Sequence, residues 1–243
     1  MLEGSSVIVV VPAFREEAHV GRVIETMPRF VDRIVVVDDG SDDRTSACVT
    51  SANDPRVELL VHPVRRGVGA ALVTGYRAAL GWTTRPTDAL AVMAGDGQMD
   101  PDDLEAVALP IVRGDADYVK GTRFGYEGVR ASMGWPRWIG GQVFSRLTSL
   151  AIGSPVSDSQ CGFTALSRAG ALALDLDDLW PGFGYPNDML GQLACRGLRI
   201  AEVPVRPIYG SEVSKLRLRH LPRIGYLVGR AAVRRRRATK RPL

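Results

Sequence analysis

Carboxylates are concentrated in three short segments of the sequence, each of which directly follows an apolar run. The segments are 14–17, 38–43 and 96–100, and the runs before them are rich in valine, isoleucine and alanine. Carboxylate oxygens bind hard cations and accept hydrogen bonds from polar ligands. If the apolar runs are strands of one parallel sheet, the three segments meet at one edge of it. The pattern therefore predicts a polar ligand site at this edge.

The first half of the chain alternates such apolar runs with stretches of helical periodicity. Apolar residues recur at helical spacing over 18–27, and Pro101 stands where a first-turn proline belongs. This order predicts an α/β fold, with a mostly parallel Rossmann-like sheet and helices on both faces. In such sheets, ligands bind beyond the carboxyl ends of the strands. The predicted strands are 7–11, 33–37, 57–61, 89–94 and 118–120, and the predicted helices are 18–27, 45–51, 67–80 and one that begins near Pro101.

The second half of the chain is less regular. We predict a glycine-rich loop over 123–134 and a loop rich in glycine, proline and aromatic residues over 180–186. No internal repeat or low-complexity linker divides the chain before its C-terminal tail. The remaining pattern predicts helices over 135–152 and 187–195 and strands over 163–166 and 198–205.

The composition is typical of a globular domain. The chain has 243 residues, of which 45% are hydrophobic and 24% charged, so disorder, collagen and coiled coil are excluded as whole-chain descriptions. The run 7–11 is too short for the core of a signal peptide, and no later run reaches the roughly 18 residues of a membrane span. The three cysteines and three histidines are scattered. This spacing predicts reduced thiols in a cytoplasmic protein and disfavours a histidine-centred metal site or triad.

The C-terminal tail is strongly basic. From Lys215 onward there are eleven Lys and Arg and no acidic residue, whereas the whole chain has 31 basic and 27 acidic residues. We therefore divide the chain into a globular part, 1–215, and a basic amphipathic segment, 216–243. This segment is interpreted either as lying on an anionic membrane or as an ordinary helix packed on the body with a solvated end. Nucleic-acid binding is disfavoured because no aromatic residue lies among Arg234–Arg237.

Seven motifs, in order along the chain, resemble those of the family-two inverting glycosyltransferases of GT-A fold. By motif the chain is most similar to the polyprenyl-phosphate (dolichol-phosphate-type) mannosyl- and glucosyltransferases, over roughly residues 6–230. Each motif alone is weakly specific, but all seven in order are a strong signal. They are Val-Pro-Ala-Phe-Arg-Glu-Glu (11–17), Val-Asp-Asp-Gly-Ser-Asp-Asp-Arg-Thr (37–45), Arg-Gly-Val-Gly-Ala-Ala (66–71), Gly-Asp-Gly-Gln-Met-Asp-Pro (95–101), Gly-Thr-Arg-Phe (121–124), Asp-Ser-Gln-Cys-Gly-Phe (158–163) and Glu-Val-Pro-Val (202–205).

The segment after the fourth predicted strand is the implied cation site. The resemblance implies a nucleotide-sugar donor and a divalent cation, Mg²⁺ or Mn²⁺, that neutralises charge on the leaving diphosphate. The family usually supplies a DxD pair of carboxylates for this cation. In this chain Ala94 replaces the first carboxylate, so the implied metal-binding residues are Asp96 and Gln98. The other interpretation of 96–100 is a turn that caps the next helix.

The first two acidic segments and the 66–71 motif are implied to hold the nucleotide sugar. In the family the acidic pair holds the nucleoside, and carboxylates can accept hydrogen bonds from base N–H or ribose hydroxyl groups. Backbone N–H groups of the glycine-rich turn can face an anion. Helix capping and a simple helix start are the alternatives. The implied residues are Pro12, Ala13, Glu16, Asp38, Asp39, Arg66 and Asp96.

Positive charge is implied on the acceptor side of the site. Arg123 and Arg137 match positions where the family contacts an acceptor or donor phosphate. Ser214 and Lys215 match a small polar and basic cluster that closes over the diphosphate. A solvated face is the alternative for Arg137.

The need for a general base depends on the acceptor. A lipid phosphate is already ionised near neutral pH and needs no strong base, whereas a hydroxyl acceptor requires a carboxylate. Asp158 is the first candidate for this catalytic carboxylate, and Asp188 is the second. An acid at a helix N-terminus is the other interpretation of Asp188.

The leading hypothesis is a metal-dependent transfer, with inversion, of one hexose from a GDP- or UDP-linked donor to a polyprenyl phosphate at the cytoplasmic membrane face. The second hypothesis is a soluble small-molecule hydroxyl acceptor. A nucleotidyltransferase and a non-catalytic nucleotide-binding module are further alternatives, the latter supported only by Ala94. Monomer and homo-oligomer both stay open.

Overall fold

The computed structural model describes residues 1–126, 129, 133, 135–208 and 221–238. A 3₁₀ turn at Pro101–Asp103 leads into α4. The strands are β1 Val7–Ala13, β2 Arg33–Asp38, β3 Val57–Val61, β4 Ala89–Val92, β5 Tyr118–Thr122, β6 Thr164–Ser167 and β7 Ile200–Pro204. The helices are α1 Val20–Glu25, α2 Thr45–Ser51, α3 Val68–Gly81, α4 Leu104–Val112, α5 Trp135–Ile152, α6 Arg168–Ala173, α7 Tyr185–Cys195 and α8 Leu221–Ala238.

The strands form one sheet in the order β3-β2-β1-β4-β6-β5-β7. The strands β1 to β4 are mutually parallel where they pair, and β5 pairs in parallel with β7. Among the strands that the structure describes, only β6 runs antiparallel to its neighbours, β4 and β5. The predicted mostly parallel α/β fold is therefore confirmed. Because β6 is reversed between them, β4 and β5 point the same way, so the carboxyl ends of β1, β2, β4 and β5 share one edge.

The central strands β1, β4 and β6 are buried on both faces, whereas the edge strands β3 and β7 are partly exposed. Alternate residues of β1 point to opposite sides, as the strand period of two requires. Val7, Val9 and Val11 pack with α1 and α4, whereas Ile8 and Val10 pack with α3 and α7. This double burial explains why the strands read as continuous apolar runs.

The contact between α3 and β1 leaves no room for a side chain at Gly75. A Cβ atom built at Gly75 would lie 2.2 Å from Cγ1 of Val10, inside the core. We expect Gly75→Ala to lower the free energy of unfolding by about 1–3 kcal/mol through overpacking. Chemical denaturation measures this loss. Gly81→Ala, on the same helix with open space around it, is the matched control and should unfold at or above the wild-type midpoint. Equal midpoints for both variants would contradict the packing argument.

The C-terminal helix α8 belongs to the body of the molecule. Leu227 and Ala231 are buried, and the helix packs on α7 and α5. Among the residues that the structure describes, no helix is long and apolar enough to cross a membrane. For 221–238 the structure therefore favours the packed-helix interpretation of the basic segment.

Candidate active site

A groove of about 830 Å³ opens at the shared carboxyl edge of the sheet. Its volume is in the range of ligand sites. The predicted site residues that line it are Pro12, Ala13, Glu16, Asp39, Arg66, Asp96, Gln98 and Arg123. The structure therefore brings residues that follow β1, β2, β4 and β5 together around one cavity.

Asp39 is a structural anchor of the groove wall. One carboxylate oxygen accepts the N–H of Arg66 at 2.8 Å, and the other accepts the N–H of Gly67 at 2.7 Å. Nδ1 of the buried His62 lies 2.8 Å from the same carboxylate, and Nε2 of His62 lies 2.9 Å from Oγ1 of Thr74. Asp39 thus ties the end of β2 to the start of α3.

This arrangement changes the role of the turn before α3. The sequence predicted that its backbone N–H groups face a ligand anion, but those of Arg66 and Gly67 face Asp39 instead. The turn also packs closely on the loop 180–186, since a Cβ atom on Gly69 would lie 2.0 Å from the carbonyl oxygen of Trp180. Arg66, Gly67, Val68 and Ala71 of this motif line the groove, and the side chain of Arg66 is the charged group among them.

Asp38 does not line the groove, contrary to expectation. It is 1% exposed, and its carboxylate accepts hydrogen bonds from the N–H of Ser41 at 2.9 Å and from the hydroxyl of Ser46. The physical reason is strand alternation, because adjacent residues at the end of β2 point in opposite directions. Of the acidic pair, only Asp39 reaches the cavity.

Asp96 occupies the loop after β4, on the groove. One carboxylate oxygen accepts the N–H of Gln98 at 3.1 Å, which fixes the turn. No group of three or more His, Cys, Asp or Glu among the described residues is placed to hold a metal ion. Asp96 with Gln98 fits a cation that takes most of its oxygen ligands from a bound diphosphate and water, as Mg²⁺ commonly does. The capping interpretation applies to Asp100 instead, which accepts the N–H of Asp102 at 3.0 Å.

Arg123, which lines the groove, forms an ion pair with the buried Asp158. Nε and Nη2 of Arg123 lie 2.7 and 2.9 Å from the two carboxylate oxygens of Asp158. Asp158 is 0% exposed and does not line the groove, whereas Arg123 does. Burial alone would raise the pKa of Asp158, but the charge and hydrogen bonds of Arg123 and the charge of Lys120 hold the pKa below its usual value.

Lys120 completes this charge cluster and was missed at the level of sequence. Its side chain is fully buried in β5, and Nζ donates to the carbonyl oxygen of Cys161 at 2.5 Å. Burial lowers its pKa, against the opposing charge of Asp158. The lysine thereby fixes the segment 160–163, which lines the groove. A charged residue inside a predicted buried strand is the sequence feature that could have indicated a buried role for Lys120.

Asp188, the second candidate base, does not line the groove. It is 0% exposed, and one carboxylate oxygen accepts the N–H of Trp180 at 3.0 Å. The other carboxylate oxygen lies 2.6 Å from Nη1 of Arg234 and 3.5 Å from Nη1 of Arg230. Asp188 is in the first turn of α7, as its alternative interpretation predicted. These contacts tie the loop 180–186 and α8 to α7.

The basic C-terminal helix therefore uses part of its charge internally. Arg230 and Arg234 both pair with Asp178 as well as with Asp188. Near its start, Arg223 lines the groove and stacks 5.4 Å from the ring centre of Trp180. The segment 216–243 therefore contributes Arg223 to the groove as well as the ion-pair partners of Asp188.

Two further groove residues were not predicted. Phe14 follows β1, and the guanidinium carbon of Arg65 lies 4.0 Å from the centre of its ring. Two sequence features could have indicated them: an aromatic residue shortly after a predicted strand, and the adjacent arginines Arg65 and Arg66. Such a surface suits a flat or anionic ligand.

The positions of three predicted phosphate-binding side chains are not described by the structure. Ser214 and Lys215 lie outside the described residues. Arg137 lies on α5, but its side chain is outside what the structure describes. Their phosphate-binding roles stay predictions.

The sheet topology and the site define a GT-A-type glycosyltransferase fold. A solved structure of glucosyl-3-phosphoglycerate synthase from Mycobacterium tuberculosis, with Mn²⁺ and UDP-glucose, matches with a TM-score of 0.67. That match covers 99% of this chain and 81% of the other at 22% identity, so it bears on the fold alone.

Sequence comparison then gives the family. The model described as "Glycosyl transferase family 2" matches residues 8–172, and the chain belongs to this family. An undecaprenyl-phosphate mannosyltransferase of Micrococcus luteus is 31% identical, over 82% of this chain and 82% of the relative. A UDP-N-acetylglucosamine–dolichyl-phosphate N-acetylglucosaminyltransferase of Methanococcus voltae is 28% identical, over 84% and 86% respectively. The protein is therefore a glycosyltransferase.

Proposed function

We propose that this glycosyltransferase moves one hexose, with inversion, from a GDP- or UDP-linked donor to a polyprenyl phosphate at the cytoplasmic face of a membrane. One observation carries the proposal: the groove combines the Asp96 carboxylate with five arginines. These are Arg65, Arg66, Arg123, Arg206 and Arg223, of which Arg123 pairs with Asp158 and Arg206 pairs with Asp100. A donor diphosphate and an acceptor phosphate together bring several negative charges, which this lining suits.

The two named relatives support the lipid-phosphate acceptor. Both are named for transfer to a prenyl phosphate, and both align over more than four fifths of this chain. Asp158, the first candidate base, is paired with Arg123. This pairing agrees with a lipid-phosphate acceptor, for which no general base is needed. A phosphate oxygen is already ionised and needs no base to remove a proton.

In the proposed reaction an acceptor phosphate oxygen forms a bond to the anomeric carbon as the bond to the donor diphosphate breaks. The nucleoside diphosphate leaves with the electron pair. Arg123, held rigid by Asp158, orients a phosphate in the groove, and Asp39 holds the wall that carries Arg66. A divalent cation held by Asp96 and Gln98 would supply charge neutralisation for the leaving group.

An acceptor comparison tests the proposal. GDP- and UDP-linked hexoses are offered with a polyprenyl phosphate or with a panel of soluble hydroxyl acceptors, with and without Mg²⁺ or Mn²⁺. We expect transfer to the lipid phosphate, release of nucleoside diphosphate, loss of transfer in EDTA, and an inverted anomeric configuration by NMR. Transfer to hydroxyl acceptors alone would establish the second hypothesis. Pyrophosphate release would indicate a nucleotidyltransferase, and nucleotide binding without turnover would indicate a binding module.

A further inference from the structure

Helix α5 exposes an apolar stripe beside the groove. Ile139, Val143, Leu147 and Leu150 are 38%, 47%, 47% and 75% exposed. Their spacing of four, four and three residues places them on one face of the helix. The stripe is about 16 Å long at 1.5 Å per residue. Exposed large apolar side chains scattered singly are ordinary, but four on one helix face mark an interaction surface.

The stripe is continuous with the candidate active site. Gly140, Gly141 and Phe144 of the same helix line the groove. Buried Ser145 and Thr148 face the body, where Oγ1 of Thr148 lies 3.0 Å from Oδ1 of Asn187 on α7. One helix therefore has a buried side, a groove side and an exposed apolar side. A bilayer that contacts the exposed side would therefore lie next to the groove.

The helix that carries the stripe has basic residues and no acidic ones. Residues 128–157 contain no Asp or Glu. Arg146 lies among the stripe residues and is exposed, and Arg235 of α8 reaches the carbonyl oxygen of Leu150 at 3.3 Å. An apolar helix face flanked by arginines is the pattern of a helix that lies in the interface of an anionic bilayer.

A second copy of this chain suits the stripe less well. A two-fold contact through this face would bring Arg146 of one copy toward that of the other, with no acidic residue on the helix to pair with either. The stripe also consists of only four large apolar side chains, whereas a stable interface buries about 800 Å² per partner. The charge pattern therefore favours lipid as the occupant.

We propose that the exposed stripe of α5 is the surface by which the enzyme docks on an anionic lipid bilayer, next to the groove. The inference rests on the proposed function, because a polyprenyl phosphate is presented by such a bilayer. The proposal places docking on α5 and not on the C-terminal helix, because Leu227 and Ala231 of that helix are buried and its Arg230 and Arg234 pair with internal carboxylates.

Vesicle sedimentation of the full-length protein tests the proposal. The variant Leu147→Ser/Leu150→Ser removes two stripe side chains that do not line the groove, and Leu172→Ser, 57% exposed on α6, is the matched control. We expect wild type and control to bind phosphatidylcholine vesicles containing phosphatidylglycerol, and to bind pure phosphatidylcholine more weakly. The double variant should bind the anionic vesicles about tenfold or more weakly.

The activity arm separates docking from chemistry. With a short-chain, water-soluble polyprenyl phosphate, the double variant should keep the wild-type kcat/KM, whereas with a vesicle-embedded acceptor it should lose turnover in step with binding. Equal vesicle binding by wild type and double variant would overturn the docking surface. So would a wild-type dimer in solution that the double variant abolishes, which would make a second copy the occupant. Failure of the proposed function would give a different result. Neither acceptor would be glycosylated, while the double variant would still bind vesicles more weakly than the wild type.

Discussion

The Asp96→Asn variant is expected to lose transfer by about a thousandfold or more, while the protein stays folded. The substitution keeps the size of the side chain and removes its charge, and Asp96 is the acidic residue of the loop after β4 that lines the groove. Loss of the charge that holds a cation costs several kcal/mol of transition-state stabilisation, and each 1.36 kcal/mol is tenfold in rate. Release of nucleoside diphosphate measures the loss.

A nearby carboxylate provides the control for this variant. Asp102 lies on the 3₁₀ turn after the same loop, is exposed and does not line the groove. Asp102→Asn should therefore keep wild-type turnover and the wild-type dependence on Mg²⁺ or Mn²⁺. In Asp96→Asn, the residual activity should need a much higher cation concentration. Full activity of Asp96→Asn at the wild-type cation concentration would remove the proposed cation site.

Local patterns predicted the framework of this molecule closely. The helices α2 and α5 and the strand β3 have the predicted bounds, and β1, β2 and β4 differ only at their ends. The reason is physical: strands buried on both faces must be continuously apolar, and they stop where the polar groove begins. Helix α6 was not predicted, because its six residues are too short to show a helical period.

The direction of individual polar side chains was harder to predict. Asp38 and Asp39 are neighbours with the same chemistry, yet only Asp39 lines the groove. Which of the two does so depends on where β2 ends, and a shift of one residue would exchange them. Likewise His62 gains its role only because the fold brings Asp39 and Thr74 to its two ring nitrogens.

Long-range ion pairs were beyond the reach of local patterns. Arg234 is 46 residues from Asp188 in sequence, and Arg123 is 35 residues from Asp158. A count of charges treats all of these groups as available for ligands or membranes. In the structure, two tail arginines are held by internal carboxylates, whereas the exposed stripe of α5 has no acidic neighbours on its helix. For this reason we place the membrane-docking surface on α5 and not on the basic C-terminal segment.

Breaking the Arg123–Asp158 pair is expected to cost both stability and activity. Asp158→Asn leaves Arg123 and the buried Lys120 without their carboxylate, and removing one partner of a buried pair costs about 3–5 kcal/mol. Arg123, 18% exposed at the groove, loses its orientation, so the KM for the phosphate acceptor should rise. Urea denaturation and steady-state kinetics measure the two effects. Asp42→Asn, in the exposed pair with Arg15, is the control and should change neither.

The pH dependence of this loss separates an orienting carboxylate from a catalytic base. The pKa of Asp158 is lowered in the folded protein, so its ionised form stabilises the fold at pH values above the unfolded pKa of about 3.9. That contribution is lost as the pH falls through the lower, folded pKa, where the protonated carboxyl resembles the asparagine. The stability difference between wild type and Asp158→Asn should therefore be largest near neutral pH and shrink below about pH 4. A catalytic base would give the opposite pattern, a fall in kcat at unchanged stability and unchanged KM. That outcome would return Asp158 to the chemistry of the reaction and would point to a hydroxyl acceptor.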